Sequence, residues 1–181
     1  TLFELASLSK PVFAYLVLQL VDRGELTLDR PLVNYLRPAY LGSGPWLEAI
    51  TIRDVLRHST GLPDWRKDPA HEPLQPAVAP GTRIDYSGEA FVWLQRVVEV
   101  VTGESLDASM QRLLFGPAGM GDSSYGWNRE LAQRSVYGHG LPGKTDMPPQ
   151  MLREQWQAAQ PVADRWGKPL SDWRYADAER A

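Results

Sequence analysis

Near the start of the chain, in FELASLSKPVFAYLVLQL (Phe3 to Leu20), Ser7 and Lys10 stand three residues apart at the mouth of an apolar stretch. In a helical turn, side chains at that spacing share a face and lie within reach of each other. A serine hydroxyl becomes a useful nucleophile when a base takes its proton. A lysine acts as that base only when its pKa is lowered, and burial against apolar walls lowers it. The free N–H groups of a helix start also favour negative charge on a reacting oxygen. Nucleophilic catalysis is therefore one reading of the pair. A plainer one is that serine caps a helix and a first-turn lysine reaches out to water. The S-x-x-K pattern arises about once by chance in a chain of this length, so the pair alone does not choose between them.

The elements that must position these residues are mainly helices. Val12, Phe13, Ala14, Leu16, Val17, Leu18, Leu20 and Val21 make an all-round apolar helix, expected to be central and buried and to stop at Gly24. Pro11 disfavours helical geometry at Lys10, so an irregular first turn is expected. TIRDVLRHSTGLP reads as a short helix from Thr51, with Thr51 and Asp54 at capping-box spacing and Gly61-Leu62-Pro63 as its stop. GEAFVWLQRVVEVVTG is a strong helix with Phe91, Leu94, Val98 and Val101 on one face and Gly103 at its end. SLDASMQRLLFGPAGM is another, stopped by Gly116-Pro117. The stretch from Pro63 to Pro80 reads as a long surface loop, and loops of that length are often functional. TRIDY is the one candidate strand, and a helix is expected near Gln150 to Gln160. No internal repeat is visible.

Composition excludes several classes. The chain has 181 residues, enough for one domain and not clearly two. A net charge of −3 and the lack of a Lys/Arg block give no nucleic-acid signature. Without cysteine there is no disulfide or thiolate metal site. The longest apolar run is too short for a membrane span. It is followed by DRGELTLDR with no small-residue cleavage site, so it is not read as a signal-peptide core.

The S-x-x-K pair takes on weight from its surroundings, because S-x-x-K is a signature of serine β-lactamases and penicillin-binding proteins. FELASLSKPVFAYLVLQLVDRGELTLDRPLVNYL resembles that family's nucleophile helix with its GxLxLDxP exit. ITIRDVLRHSTGLP is similar to the family's ITIRHLLSHTSGLP, and PGTRIDYSGEAFVWLQRVVEVVTGESL to its PGxxFxYSNxGYxLLGxIIExVTG. LLFGPAGMGDSSY resembles IFxPLGMxDTSF. Four segments in the right order identify the branch related to class C β-lactamases and their esterase relatives. The resemblance implies an α/β (α+β) serine β-lactamase/transpeptidase-like parent fold, of which this mostly α-helical segment lacks most of the flanking antiparallel sheet. It implies one incomplete domain over residues 1–181: a nucleophile helix over 1–24, a helical region with the tyrosine motif over 25–137 and a loop-rich segment over 138–181. It also implies a serine hydrolase working through an acyl-enzyme on an ester or a β-lactam or other amide, with no cofactor or metal. Ser7 matches the acylated nucleophile, Lys10 the lysine that accepts or relays its proton, and Tyr86 the tyrosine that assists proton transfer to the leaving group. His58 matches a position taken as structural. Relatives are often periplasmic or secreted, but nothing in the residues fixes location or oligomeric state.

Two departures bear on substrate. Gly88 stands where the family's Y-x-N motif has its asparagine, which removes an amide donor and tilts the expectation toward esters. The family's third motif, K-T-G or H-x-G, is not found; GKTD at Gly143 to Asp146 lacks the final glycine and comes too early. These features leave open a binding module of the same fold that has lost activity. They also lead to the expectation that residues 1–181 alone are inactive and marginally folded. Trp65, after GLP in the long loop, is assigned to the substrate pocket alongside Gly88, whereas Trp93 and Trp127 read as core or cleft wall.

GHGLPGKT, Gly138 to Thr145, satisfies the P-loop pattern G-x-x-x-x-G-K-[ST]. A P-loop needs a buried strand before it and a helix starting within it. LAQRSVY is a poor buried strand and Pro148-Pro149 disrupt the helix, so nucleotide binding remains a remote alternative. His58, His71 and His139 have no metal-ligand spacing, and no G-x-S-x-G elbow supports a Ser-His-Asp hydrolase.

Overall fold

Thr51 caps a helix as its spacing to Asp54 predicts: its side chain accepts the Asp54 N–H while the Asp54 carboxylate accepts the Thr51 N–H at 3.0 Å. The computed structural model describes residues 1–69, 71–126 and 129–136. Its helices are α1 (Ser9–Asp22), α2 (Pro45–Ala49), α3 (Ile52–Leu56), α4 (Gly88–Thr102), α5 (Leu106–Met110) and α6 (Arg129–Arg134). Among the described residues β-pairing is confined to isolated bridges, Leu2 with Ser135, Pro31 with Thr51 and Leu41 with Leu74. The described chain is therefore mostly helical. It divides into two compact units, Lys10–Gly103 and a second formed by Thr1–Ser9 with the chain from Glu104 onward.

In the unit Lys10–Gly103, α4 is the central helix. Phe91, Trp93, Leu94, Val97 and Val98 are buried, and so are the polar Glu89, Arg96 and Glu99. Its N-terminus is capped by the Ser87 hydroxyl, which accepts from the Ala90 N–H at 3.1 Å, and it ends at Gly103 in the left-handed region. The Trp93 indole N–H donates to the Leu36 carbonyl at 3.0 Å, satisfying the polar atom of a fully buried ring. The apolar α1 departs from the sequence expectation. It buries Phe13, Leu16, Val17 and Leu20, an i, i+3, i+4, i+7 stripe, while Tyr15 and Leu18 are exposed. All-round hydrophobicity thus marks α1, but all-round burial belongs to α4. The chain leaves α1 through left-handed Gly24, and a bidentate Arg53–Asp29 pair ties α3 to the stretch that follows.

Three further expectations are corrected. The helix from Thr51 stops at His58, before Gly61: the Ser59 N–H bonds the Asp54 carbonyl and the His58 N–H the Val55 carbonyl, a Schellman arrangement. His58 takes the left-handed conformation there, at φ 53°, the place where glycine is usual. TRIDY is not a strand, because its backbone turns back on itself (Thr82 N–H to Ala79 carbonyl) and is then pinned singly, Asp85 N–H to His58 carbonyl at 2.7 Å. Pro11 sits inside the first turn of α1, where its missing N–H has no intrahelical partner to lose, so the irregularity lies upstream in a 3-10 turn, Ala6–Leu8. The helix expected near Gln150 to Gln160, the P-loop-like stretch Gly138 to Thr145, and Trp127 lie outside the described residues.

In the other unit, α5 is capped by the Ser105 hydroxyl and runs on through a wider turn, Gln111–Phe115, in which the Gly116 N–H reaches back to the Gln111 carbonyl at 2.9 Å. Glu104 holds Arg112 through both carboxylate oxygens and accepts the Ser109 hydroxyl. Leu2 pairs with the chain just after α6, its N–H donating to the Arg134 carbonyl and its carbonyl accepting the Val136 N–H.

Candidate functional site

Ser7 is exposed on the 3-10 turn Ala6–Leu8. Ala6, just before it, is held at φ 44°, a left-handed conformation that costs a non-glycine residue about 1–2 kcal/mol. The turn is tied from within its own unit. The Ser9 hydroxyl donates to the Ala6 carbonyl, and the Tyr125 hydroxyl donates to the Ser9 carbonyl at 2.5 Å. Tyr125 is in turn fixed by Asp107, whose carboxylate accepts the Tyr125 N–H at 2.7 Å, and by the Phe115 ring stacked on it at 6.0 Å. The DSSY segment thus supports the turn that carries Ser7, a role its sequence alone does not announce.

In the unit Lys10–Gly103, Lys10 and Tyr86 come together. The Lys10 Nζ lies 4.9 Å from the centre of the Tyr86 ring and 5.8 Å from that of Phe91. An ammonium over a ring face is held by the ring's quadrupole, with about 0.5–2 kcal/mol depending on its exposure to water. The half-buried Lys10 at the start of α1 is thereby walled by aromatic rings. Tyr86 remains substantially exposed while its ring is held between Lys10 and His58.

His58, read from the resemblance as structural, is the ring on which Tyr86 rests. The two rings stack at 4.5 Å and 23°, and His58 stacks on Phe91 at 4.9 Å and 30°. The Ser87 N–H donates to His58 Nδ1 at 3.2 Å, which requires that nitrogen to be unprotonated. Burial, and secondarily the Lys10 charge, push the His58 pKa below its ordinary value, with Asp64 opposing. The readable sign was a histidine placed one residue past a short capped helix, where a left-handed residue is needed.

The depressed pKa predicts an acid-side loss of stability. The folded state binds fewer protons at His58 than the unfolded chain, so its contribution is fully present above the unfolded value of about 6.5 and is lost as pH falls through the folded value. Melting temperatures between pH 8 and 5 should therefore decline below about pH 6.5. His58→Asn, which tolerates left-handed backbone and does not titrate, should flatten that part of the curve; an unchanged slope would exclude His58 as its source. Asp29, Glu104 and Asp122, each held low chiefly by hydrogen bonds from an arginine, titrate only at more acidic pH.

Gly88 and Trp65 also meet. A side chain at Gly88 would place its Cβ 2.4 Å from Trp65 Cζ2, so the indole lies against the bare backbone of α4. His71 pairs with Asp68 instead, at 2.8 Å, and Lys144 and His139 lie outside the described residues.

Compared with models of known families, the chain matches the Beta-lactamase family over residues 1–169. The chain belongs to the beta-lactamase family. Esterase EstB of Burkholderia gladioli is 35% identical over 157 residues, covering 69% of this chain and 38% of the esterase. Penicillin-binding protein 4 of Amycolatopsis lactamdurans is 32% identical over 136 residues, covering 68% of this chain and 36% of that protein. The chain thus spans well under half the length of these curated relatives. Among solved structures, a class C beta-lactamase superposes with a TM-score of 0.68 at 24% identity, covering 81% of this chain and 43% of the other. At that identity the likeness speaks for the fold, which is that of the serine beta-lactamases and penicillin-binding proteins. No helix among the described residues of this beta-lactamase-family chain is long and apolar enough to cross a membrane.

Proposed function

We propose that the chain supplies the nucleophile of a serine hydrolase that transfers the acyl group of an ester, or of a β-lactam or other amide, to water. The observation that carries this reading is the amine of Lys10 seated 4.9 Å over the Tyr86 ring, three residues after an exposed serine. The Ser7 Oγ attacks the substrate carbonyl carbon, forming a C–O bond as its proton passes to Lys10 or Tyr86. The tetrahedral adduct collapses with cleavage of the bond to the leaving group, which departs with that proton. Water then attacks the acyl-enzyme, the carboxylic acid leaves, and the Ser7 hydroxyl is restored. His58 holds the face of Tyr86, and Tyr125 holds the turn that carries Ser7.

The test uses the protein with any natural flanking sequence. Intact mass after exposure to a fluorophosphonate should show one adduct, located by digestion on the peptide containing Ser7. Lys10→Met should slow labelling by about 10²–10⁴-fold, the usual contribution of a positioned proton-transfer group. An adduct elsewhere, or an unchanged rate in Lys10→Met, would exclude this assignment.

A further inference from the structure

We propose that Trp65 is the specificity wall of the site, selecting esters whose acyl group carries an aromatic ring over those with a small acyl group. The proposal rests on the reading of Ser7, Lys10 and Tyr86 given above and adds the substrate class.

Gly88 follows Tyr86 by two residues, a chain distance of at most about 7 Å. Any side chain there would collide with the indole, because Trp65 Cζ2, Cε2 and Cη2 lie 2.4 to 2.8 Å from the ideal Cβ position. The ring therefore occupies the space in which a side chain at 88 would work, and it presents a flat apolar surface there. Trp65 is not a loose surface residue. On one side the Asp64 carboxylate accepts the Gly88 N–H at 2.9 Å and the Asp64 carbonyl accepts the Glu89 N–H at 3.0 Å. On the other, Arg66 donates to Glu89 from its backbone N–H at 3.1 Å and from Nε at 2.9 Å, in a pair whose side chains are only 9% and 7% exposed. The backbone on both sides of Trp65 is thus fastened to the first turn of α4, yet the residue is 56% exposed. A large aromatic side chain with immobilised flanks and an open face has already met the ordering cost of binding, which is what a recognition surface requires.

The experiment compares p-nitrophenyl acetate with p-nitrophenyl phenylacetate, so that the leaving group is constant, in wild type, Trp65→Ala, Trp65→Phe, Gly88→Asn and Trp65→Ala/Gly88→Asn. Trp65→Ala should lower kcat/KM for the phenylacetyl ester about 10- to 100-fold relative to the acetyl ester, chiefly through KM, as expected for loss of one large apolar contact. Trp65→Phe should retain most of the preference. Gly88→Asn should impair both esters, and adding Trp65→Ala should restore acetyl turnover by vacating the space. Equal losses on both esters in Trp65→Ala, or Gly88→Asn equally active with and without the indole, would overturn the proposal. If wild type shows no Ser7-dependent turnover, the acyl-transfer reading fails. The wall is then read by calorimetry with phenylacetate: binding at least about tenfold tighter to wild type than to Trp65→Ala supports it, and equal or undetectable binding overturns it.

Discussion

Ser7→Ala is expected to abolish fluorophosphonate labelling and to lower ester turnover by at least about 10³-fold, because a missing nucleophile is not replaced by its neighbours. Ser9→Ala is the informative control. Ser9 is two residues away, and its hydroxyl is already engaged with the Ala6 carbonyl. The contact that matters for the turn is made to the Ser9 backbone carbonyl by Tyr125, and alanine preserves that carbonyl. Ser9→Ala should therefore keep most of the labelling. Equal labelling of wild type and Ser7→Ala would remove the mechanism, whereas loss in Ser9→Ala alone would move the nucleophile.

Glu89→Ala is expected to give the largest loss of stability, about 3–5 kcal/mol, because it strands the Arg66 guanidinium in a nearly dry site. The Arg66–Glu89 pair is buried at both ends, and Arg66 also donates to the Glu72 carbonyl at 3.0 Å, so it cannot swing out without releasing the long loop. Arg53–Asp29 has similar fork geometry but lies on the surface, and Asp29→Ala should move the urea midpoint far less than Glu89→Ala does. Urea unfolding of the two variants beside wild type makes the comparison. Similar midpoints would show that the Arg66–Glu89 site is wetter than its burial indicates.

What could be read in advance was local chemistry. The Thr51–Asp54 box and the glycine stops at Gly24 and Gly103 are each set within one turn of chain, and all three appear as expected. The spacing of Ser7 and Lys10 raised a nucleophilic reading without deciding it, and Tyr86 could be joined to them only through the order of four resembling segments, since no local rule brings residue 10 to residue 86. Contacts between distant segments escaped the sequence reading. Nothing in GLPDW says that its indole will press on Gly88, because that contact depends on Asp64 and Arg66 both finding α4. Apolar periodicity also misjudged the centre of the fold. It credited α1, whose composition is more uniformly apolar, whereas α4 is buried on more of its faces and carries polar residues inward, Glu89 among them, which is met by the distant Arg66.

The left-handed His58 sets an unusually narrow mutational tolerance at one exposed-looking loop position. Three demands fall on the same residue: a backbone at φ 53°, a flat ring to stack on Tyr86 and Phe91, and a bare nitrogen to accept the Ser87 N–H. Glycine meets the first alone, and asparagine the first with a shorter acceptor. Phenylalanine and tyrosine meet the second but bring no ring nitrogen and fit the backbone poorly. Of the twenty side chains, only histidine answers all three. A saturation library at residue 58, selected first for folding and then for ester turnover, should admit several residues at the first step and collapse to histidine at the second.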